Sequence, residues 1–317
     1  MRFRDALHRR AFRPGRRLVL AEGWDSRVSR AAQYVSDRGV EVRLLTPDHV
    51  TSAPELDAVA ARLRERKPDR VADHRQARDL ASDPIRFAAG LVGLRHADAA
   101  VAGATCPTAD VLRAAIWLVG PATGITVVSS AFYMLLGPTA DAGVGGEARV
   151  LTFTDAGVIP DPTAEELVEI AGAAAADRRR IVGDQPRVAF LSFSTKGSAT
   201  GPRVDKVRTA AEQFRAGWPE IPSDGELQGD AALVPEIAAR KAAGSPLDGR
   251  ANILVFPDLD SGNIAYKLVN RLAGGTAIGP ILQGLAKPVA DVSRGASPSD
   301  IADVAAVAVL QAARLNR

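Results

Sequence analysis

The sequence has 317 residues, 46% hydrophobic and 24% charged, a composition typical of a globular protein with one or two domains. Lys and Arg (40) nearly balance Asp and Glu (37) without a long basic block, which argues against a nucleic-acid-binding protein. The single cysteine, Cys106, excludes an intrachain disulfide and a multi-cysteine metal site, and no apolar run reaches about 18 residues, so we expect a cytoplasmic protein without a membrane span.

Short aliphatic runs alternate with amphipathic helical patterns along the chain. Strands are predicted at 17–22, 41–46, 97–103, 126–135, 149–154, 188–194, 252–257 and 277–282. Helices are predicted at 25–38, 56–66, 83–96, 108–120, 161–180, 204–216, 230–242, 263–273 and 298–315. This alternation is typical of an α/β protein with mostly parallel sheets covered by helices.

Several local features refine this prediction. Asp161 and Pro162 are interpreted as the N-cap and first-turn proline of their helix, and the arginines 178–180 as its solvated end. The last helix is too apolar in its middle to be exposed on all sides. Three interpretations of the glycine-rich segment 137–147 stay open: a domain boundary, an edge hairpin and a mobile flap.

Common catalytic signatures are absent: GxGxxG, GxxxxGK[ST], HExxH and GxSxG do not occur in the required context. None of the four histidines, His8, His49, His74 and His96, follows a predicted strand, so we expect each to be solvated or structural. A dinucleotide dehydrogenase, a P-loop NTPase, a zincin and a serine hydrolase are therefore not indicated.

One loop between a strand and a helix combines Ser194, Thr195, Lys196, Gly197 and Ser198. Its hydroxyls, free amides and lysine charge would suit an anionic group. An ordinary strand-to-helix turn explains the same residues equally well.

Arg113 and Asp300 each allow two interpretations. Arg113 could contact phosphate from the side of its helix, or pair with Asp110 three residues earlier on the surface. Asp300 stands three residues after the predicted N-cap Ser297, where its carboxylate would complete a capping box. Alternatively, it could converge with the preceding Ser293 and Arg294 on one ligand.

At these loops the sequence resembles the phosphate acetyltransferase (phosphotransacetylase) family, and the similarity extends over nearly the whole chain. The matching stretches are DPTAEELVEIA (161–171), LSFSTKGSATGP (191–202) and the long segment from DGELQGDAALVPEI to AKPVADVSRG (224–295). The resemblance implies two α/β domains, here 1–133 with 290–317 and 134–289, with an active-site cleft between them. It also implies a homodimer that interconverts acetyl-CoA and phosphate with acetyl phosphate and CoA, without a metal or a further cofactor.

The resemblance assigns roles to particular residues. Asp300 matches the base that deprotonates the CoA thiol, and Ser293 and Arg294 match the SRG groups that orient and stabilise the reacting atoms. Arg113 matches an arginine that holds the anionic substrate. A family arginine that binds CoA phosphate falls near Arg66. The 194–198 loop is expected to bind substrate.

The sequence also departs from the family pattern. Ala290 replaces the asparagine of KPxND, Ala296 a cysteine, Ala114 a proline and Ile159 a polar amide. Lost hydrogen bonds at these positions could change the acyl preference. Two alternatives therefore stay open: transfer of propionyl or butyryl groups, and an inactive CoA-binding regulatory module.

Overall fold

The computed structural model describes residues 3–137 and 149–313, so the glycine-rich segment 137–147 lies, apart from Gly137, outside the described residues. Contacts divide the chain into a first unit, Met1–Gly124 with Gly279–Arg317, and a second unit, Ile125–Ile278. The domain boundaries expected from the sequence, at 133/134 and 289/290, lie farther along the chain than the limits of these units.

Strands and helices alternate through most of the described chain. The strands are β1 (Arg17–Leu20), β2 (Glu41–Leu44), β3 (Ala99–Ala102), β4 (Ser129–Leu136), β5 (Arg149–Thr154), β6 (Val188–Leu191), β7 (Ser223–Leu227), β8 (Ile253–Val255), β9 (Thr276–Gln283) and β10 (Val289–Asp291). The helices are α1 (Phe3–Ala11), α2 (Ser26–Ser36), α3 (Pro47–Thr51), α4 (Leu56–Arg66), α5 (His74–Ala81), α6 (Pro84–Gly93), α7 (Thr108–Leu118), α8 (Ala164–Ile181), α9 (Pro202–Gly217), α10 (Gly229–Leu233), α11 (Pro235–Lys241), α12 (Leu259–Leu272) and α13 (Pro298–Ala312).

The first unit is built on a four-stranded parallel sheet in the order β10-β3-β1-β2. Strand β3 is buried along its whole length, because an inner parallel strand is covered on both faces. Helix α13 packs on β3, α1 and α2, and all of its residues from 301 to 310 are buried. The prediction that this helix is not exposed on all sides is confirmed.

The second unit holds a six-stranded sheet in the order β7-β6-β8-β5-β4-β9. The pairs β6–β7, β6–β8 and β5–β8 are parallel and β4–β5 is antiparallel. Two apolar clusters cover it: Phe190 and Phe214 belong to the cluster with α8 and α9, and Phe132 and Phe256 to the cluster with α10 and α12. The expected fold class, mostly parallel sheets covered by helices, is confirmed.

The predicted start of helix α8 is wrong. Its N-cap is Thr163, whose hydroxyl accepts from the Glu166 N–H at 3.2 Å while the Glu166 carboxylate accepts from the Thr163 N–H at 2.7 Å. Asp161 instead pairs with Lys206 at 2.7 Å. The reciprocal Thr-x-x-Glu capping box satisfies two N–H groups, which the Asp-Pro pair cannot do.

The single helix predicted at 230–242 is also wrong, because the structure divides it into α10 and α11. Val234 between them is extended, with φ −120° and ψ 113°, and Pro235 is the first residue of α11. A proline disfavours the helical conformation in the residue before it and lacks an N–H to donate. The helix therefore ends and restarts at this point.

Five elements were not predicted from the sequence. Four are short or highly charged, and the fifth, β7, has the polar sequence SDGEL although every residue in it is buried. Its acids are paired: Asp224 with Lys196 and Arg215, and Glu226 with Arg208. A search for apolar runs cannot find such a strand. The unpredicted elements are α1, α3, α5, β7 and β10.

The expectation that Arg178 lies at a solvated helix end is wrong, since only 2% of its side chain is exposed. Its guanidinium binds both carboxylate oxygens of Asp184 at 2.7 Å. It also donates to the Thr152 hydroxyl at 3.0 Å and to the main-chain oxygens of Val150 and Asn252 at 2.8 and 2.9 Å. Arg178 thus ties the end of α8 to β5 and to the residue before β8.

Replacing Arg178 should therefore destabilise the protein strongly. Arg178→Met leaves buried oxygen atoms without donors, and we expect the free energy of unfolding to fall by about 2–4 kcal/mol in urea titrations. The matched control is Arg179→Met, because Arg179 is 40% exposed and lies 3.6 Å from Glu220. That change should cost less than about 0.5 kcal/mol. Equal losses in both variants would contradict this role.

Candidate active site

The loop between β10 and α13 carries Ser293 and Arg294, both exposed. The Ala296 N–H donates to the Ser293 main-chain oxygen at 2.8 Å, and the Gly295 N–H to the Ser293 hydroxyl at 3.3 Å, so the loop forms a tight turn. The Arg294 guanidinium has no hydrogen bond or ion pair with the described residues of its unit. It is available to bind an anionic ligand.

Asp300 lies in the first turn of α13. One carboxylate oxygen accepts from the Ser297 N–H at 2.9 Å and from the Ser297 hydroxyl at 2.8 Å, and the Asp300 N–H donates back to that hydroxyl at 3.2 Å. The other oxygen is 3.2 Å from Arg4. The capping box is confirmed, and because the side chain is still 42% exposed, a catalytic role stays open as a prediction.

Two further arginines lie along the helices of the first unit. Arg113 pairs with Asp110 at 2.8 Å, as the surface interpretation expects, and both side chains are 46% exposed. Arg66 donates to the main-chain oxygen of Trp117 at 3.0 Å and rests on Gly120 at the end of α7. Substrate binding by Arg113 and Arg66 stays a prediction.

Two buried carboxylates, Glu22 and Asp291, lie at the carboxyl ends of β1 and β10. Neither was predicted from the sequence as a residue of the site. Glu22 accepts from the N–H groups of Ala104 and Thr105 at 2.8 and 2.6 Å and from the Thr105 hydroxyl at 2.7 Å. Asp291 accepts from the Thr108 hydroxyl at 2.6 Å. An acid that directly follows an aliphatic run was the available signal.

Burial raises the pKa of Asp291 to about 7, and the nearby charge of Glu22 adds to this effect. Its Oδ1 atom has no hydrogen-bond partner among the described residues, and it lies so close to Gly103 that a Cβ atom on that residue would clash with it. Gly103, at φ +106°, is therefore required at this position. Burial also raises the pKa of the Cys106 thiol to about 12, which excludes a thiolate nucleophile at neutral pH.

In the second unit, the loop of residues 194–198 surrounds the buried carboxylate of Glu226. The Gly197 N–H donates to it at 2.7 Å, the Ser194 hydroxyl at 3.0 Å and Arg208 Nε at 3.1 Å. The Lys196 ammonium pairs with Asp224. The hydroxyl, amide and ammonium groups that the sequence suggested as donors to a ligand thus bind the carboxylates of β7 instead.

The remaining residues of this loop are divided between interior and surface. Thr195 is buried, and its hydroxyl accepts from the Gln228 N–H at 2.8 Å. Ser198 is exposed, and its hydroxyl accepts from the Thr195 N–H at 3.0 Å. Contact between this loop and substrate stays a prediction.

A cavity of about 820 Å³ lies within the second unit, where β6 and β8 end. It was not predicted. Thr163, Pro202 and Asp258 lie in its lining, at the N-terminal ends of three helices. The lining carries charges of both signs: Arg203 and Lys206 are basic, Asp161, Asp258 and Asp260 are acidic, and Lys206 is paired with Asp161 at 2.7 Å. The volume is that of a small-molecule site.

Within residues 3–137 and 149–313, no three His, Cys, Asp or Glu side chains are arranged to hold a metal ion. No helix in the same part of the chain is long and apolar enough to cross a membrane.

Comparison with known proteins decides the family. Residues 2–309 match the family described as Phosphate acetyl/butaryl transferase. The chain belongs to this family. It is 44% identical to a phosphate acetyltransferase of Paracoccus denitrificans over 97% of this chain and 98% of the relative. It is 45% identical to one of Thermoanaerobacterium thermosaccharolyticum over 94% and 95%. A phosphotransacetylase structure from Streptococcus pyogenes matches with a TM-score of 0.88 at 37% identity, covering 98% of each chain.

The positions at which the sequence departs from the phosphate acetyl/butaryl transferase pattern lie inside the protein. Ala290, Ala296 and Ala114 are buried, and Ile159 packs against the apolar cluster of α8 and α9. None of the four lines the cavity of the second unit. The expected change in acyl preference stays a prediction.

The Glu226 contacts predict a specific pH dependence. Burial acts to raise the pKa of Glu226, but hydrogen bonds from Arg208, Gly197 and Ser194 outweigh it and lower the pKa to about 2. The folded state thus favours the carboxylate, which contributes stability above the unfolded pKa of about 4.3 and loses it as the pH falls toward 2. At neutral pH this contribution is about 3 kcal/mol.

The variant Glu226→Gln should lower the free energy of unfolding at pH 7, and the difference from wild type should shrink to about half at pH 3. Urea titrations at both pH values measure this. The control Glu236→Gln removes an exposed carboxylate from α11 and should change stability by less than about 0.5 kcal/mol at either pH. A Glu226→Gln difference that does not vary with pH would contradict the assignment.

Proposed function

We propose that this chain is a phosphate acetyltransferase, which interconverts acetyl-CoA and phosphate with acetyl phosphate and CoA. The observation that carries the proposal is its similarity, over nearly the whole chain, to relatives named for that activity. The exposed and unpaired Arg294 beside Ser293 supports it, because both side chains can donate hydrogen bonds to an oxyanion.

The proposed reaction can be followed in the direction of acetyl-CoA synthesis. Asp300 accepts the proton of the CoA thiol, whose pKa of about 8.5 leaves little thiolate at neutral pH. The sulfur attacks the acetyl carbonyl carbon, and Ser293 and Arg294 stabilise the resulting oxyanion. The bond from this carbon to the phosphate oxygen then breaks, and phosphate leaves with the electron pair.

The remaining candidate residues bind substrate in this proposal. Arg113 anchors phosphate and Arg66 a phosphate of CoA. The pair of Arg113 with Asp110 lies on the surface, where such pairs contribute less than about 1 kcal/mol, so an incoming phosphate can replace Asp110. No metal or cofactor is required.

The loop of residues 194–198 also binds substrate in this proposal, and the exposed Phe193 directly before it adds an apolar face.

The test of the proposed function is release of CoA thiol from acetyl-CoA on addition of phosphate. We expect phosphate-dependent release with acetyl-CoA, and slower release with propionyl-CoA and butyryl-CoA. Absence of phosphate-dependent release from all three would overturn the proposal and favour a binding module. Preference for butyryl-CoA would overturn the acetyl assignment alone.

The Asp300→Asn variant distinguishes the proposed role of Asp300 as a base from its role in the capping box. Asparagine keeps the size and an oxygen for the Ser297 N–H but cannot accept the thiol proton. We expect turnover to fall about 10²–10⁴-fold with a loss of stability below about 1 kcal/mol, measured by CoA release and thermal unfolding. The control Glu165→Gln removes an exposed first-turn carboxylate from α8 and should keep full turnover. A fully active Asp300→Asn protein would contradict the base assignment.

The proposal includes a cytoplasmic homodimer. Its substrates are metabolites of the cytoplasm. Support for the dimer comes from α12, on which Ile264, Leu268 and Leu272 are 57%, 52% and 82% exposed. They are spaced by four residues and so form one apolar stripe, which a second copy of the chain would remove from water.

Leu268→Glu should therefore convert the dimer into a monomer, because a charge in the centre of the stripe would be buried unpaired. Light scattering at micromolar concentration measures the mass. Trp24→Glu, which changes a side chain that is 51% exposed in the first unit, should leave the mass unchanged. A wild-type monomer, or a Leu268→Glu dimer of unchanged affinity, would contradict this interface.

A further inference from the structure

Arg27, the second residue of α2, reaches from its own helix to two loops of the candidate active site. Nη1 donates to the main-chain oxygens of Arg294 at 2.7 Å and Ala296 at 3.0 Å. Nη2 donates to the main-chain oxygen of Ala104 at 2.9 Å. One guanidinium thereby connects the loop after β10 with the loop after β3.

The guanidinium is itself held by Asp25, the N-cap of α2. Nε lies 3.1 Å from one carboxylate oxygen of Asp25 and Nη2 lies 2.8 Å from the other. The five N–H groups of Arg27 thus have five acceptors, two on Asp25 and three on the main chain. No donor is left for a substrate, so Arg27 cannot itself be a catalytic residue.

The hydrogen bonds from Arg27 hold the SRG loop, residues 293–296, at its main chain. Strand β10 continues its sheet bonding up to the Val292 N–H, which donates to the Ala102 oxygen at 2.9 Å, and the capping box begins at Ser297. Between these points, the other hydrogen bonds of described residues stay inside the loop. Among residues 3–137 and 149–313, Arg27 alone donates hydrogen bonds that connect the SRG loop to the rest of its unit.

We propose that Arg27 is a positioning residue, which fixes the main chain of the SRG loop so that Ser293 and Arg294 present their side chains to the reacting group. This inference rests on the proposed function for its kinetic consequence. Lysine cannot replace Arg27, because an ammonium has three donors and lacks the planar fork that reaches three carbonyls and a carboxylate together.

The first test is kinetic. Arg27→Lys should lower kcat for phosphate-dependent CoA release about 10–100-fold, while KM for phosphate changes less than about threefold because Arg113 is untouched. Arg30→Lys, an exposed arginine one turn later on α2, should leave both constants unchanged. A kcat within twofold of wild type for Arg27→Lys would overturn the proposal.

A double-mutant cycle distinguishes positioning from a general structural effect. If Arg27 acts through Ser293 and Arg294, Arg27→Lys should slow the Arg294→Ala protein by a smaller factor than it slows the wild type. Multiplied losses would show independent effects and overturn the proposal. Should Arg27→Lys not fold, Asp25→Asn serves in its place, since asparagine still caps α2 but loses the charge that holds the guanidinium.

Hydrogen exchange of the Ala296 amide provides a readout without activity. We expect exchange about tenfold faster or more in Arg27→Lys than in wild type, and no change in Arg30→Lys. If the wild type releases no CoA with phosphate, the proposed function fails, while faster exchange still supports the link from Arg27 to the loop. Unchanged exchange would overturn that link even in an active enzyme.

Discussion

In each unit, one buried carboxylate at the carboxyl end of a strand determines the shape of a neighbouring loop, because its oxygens need hydrogen-bond donors. Removing an ionised carboxylate from water is costly unless its oxygens are satisfied, so nearby main-chain N–H groups must turn toward it. Glu22 accepts hydrogen bonds from the loop after β3. Glu226 accepts hydrogen bonds from the loop after β6. Each loop thereby acquires a fixed shape before any ligand arrives.

This constraint also explains which side chains remain available for chemistry. Donors close to the acids are already used, as for Ser194. Arg294 lies beyond their reach, exposed on a turn held by its main chain, so its guanidinium stays free within its unit. A fixed backbone that carries a free side chain is the arrangement needed for stabilising charge in a transition state, since little reorganisation remains.

Much of the fold could be predicted from the sequence because buried parallel strands are continuous aliphatic runs and their helices have one apolar face. The bounds of α4 agree with the prediction, and β5 is found at its predicted position. Some errors arose where polar groups are buried with partners distant in the sequence. Strand β7 and Arg178 are examples, since no local pattern shows that Arg208 will pair with Glu226 or that Arg178 will reach Thr152 and Asn252.

The candidate site divides in a similar way. Spacing alone indicated the Asp300 capping box and the Arg113–Asp110 pair, which are local interactions. The roles assigned to Ser293 and Arg294 came from the family resemblance. The contribution of Arg27 could not be predicted, because bonds to main-chain oxygens leave no trace in the identity of the residues that accept them.

The order of the chain has a consequence for synthesis on the ribosome. Residues 125–278, which form the second unit, are inserted between the two parts of the first. Strand β10, which pairs with β3, and helix α13, which covers it, are made after the second unit. The second unit can thus fold while the first still exposes one side of β3, so β3 must remain protected from wrong pairing until β10 and α13 emerge. The SRG loop lies between β10 and α13, and the reactive groups are therefore assembled only after the second unit has been made.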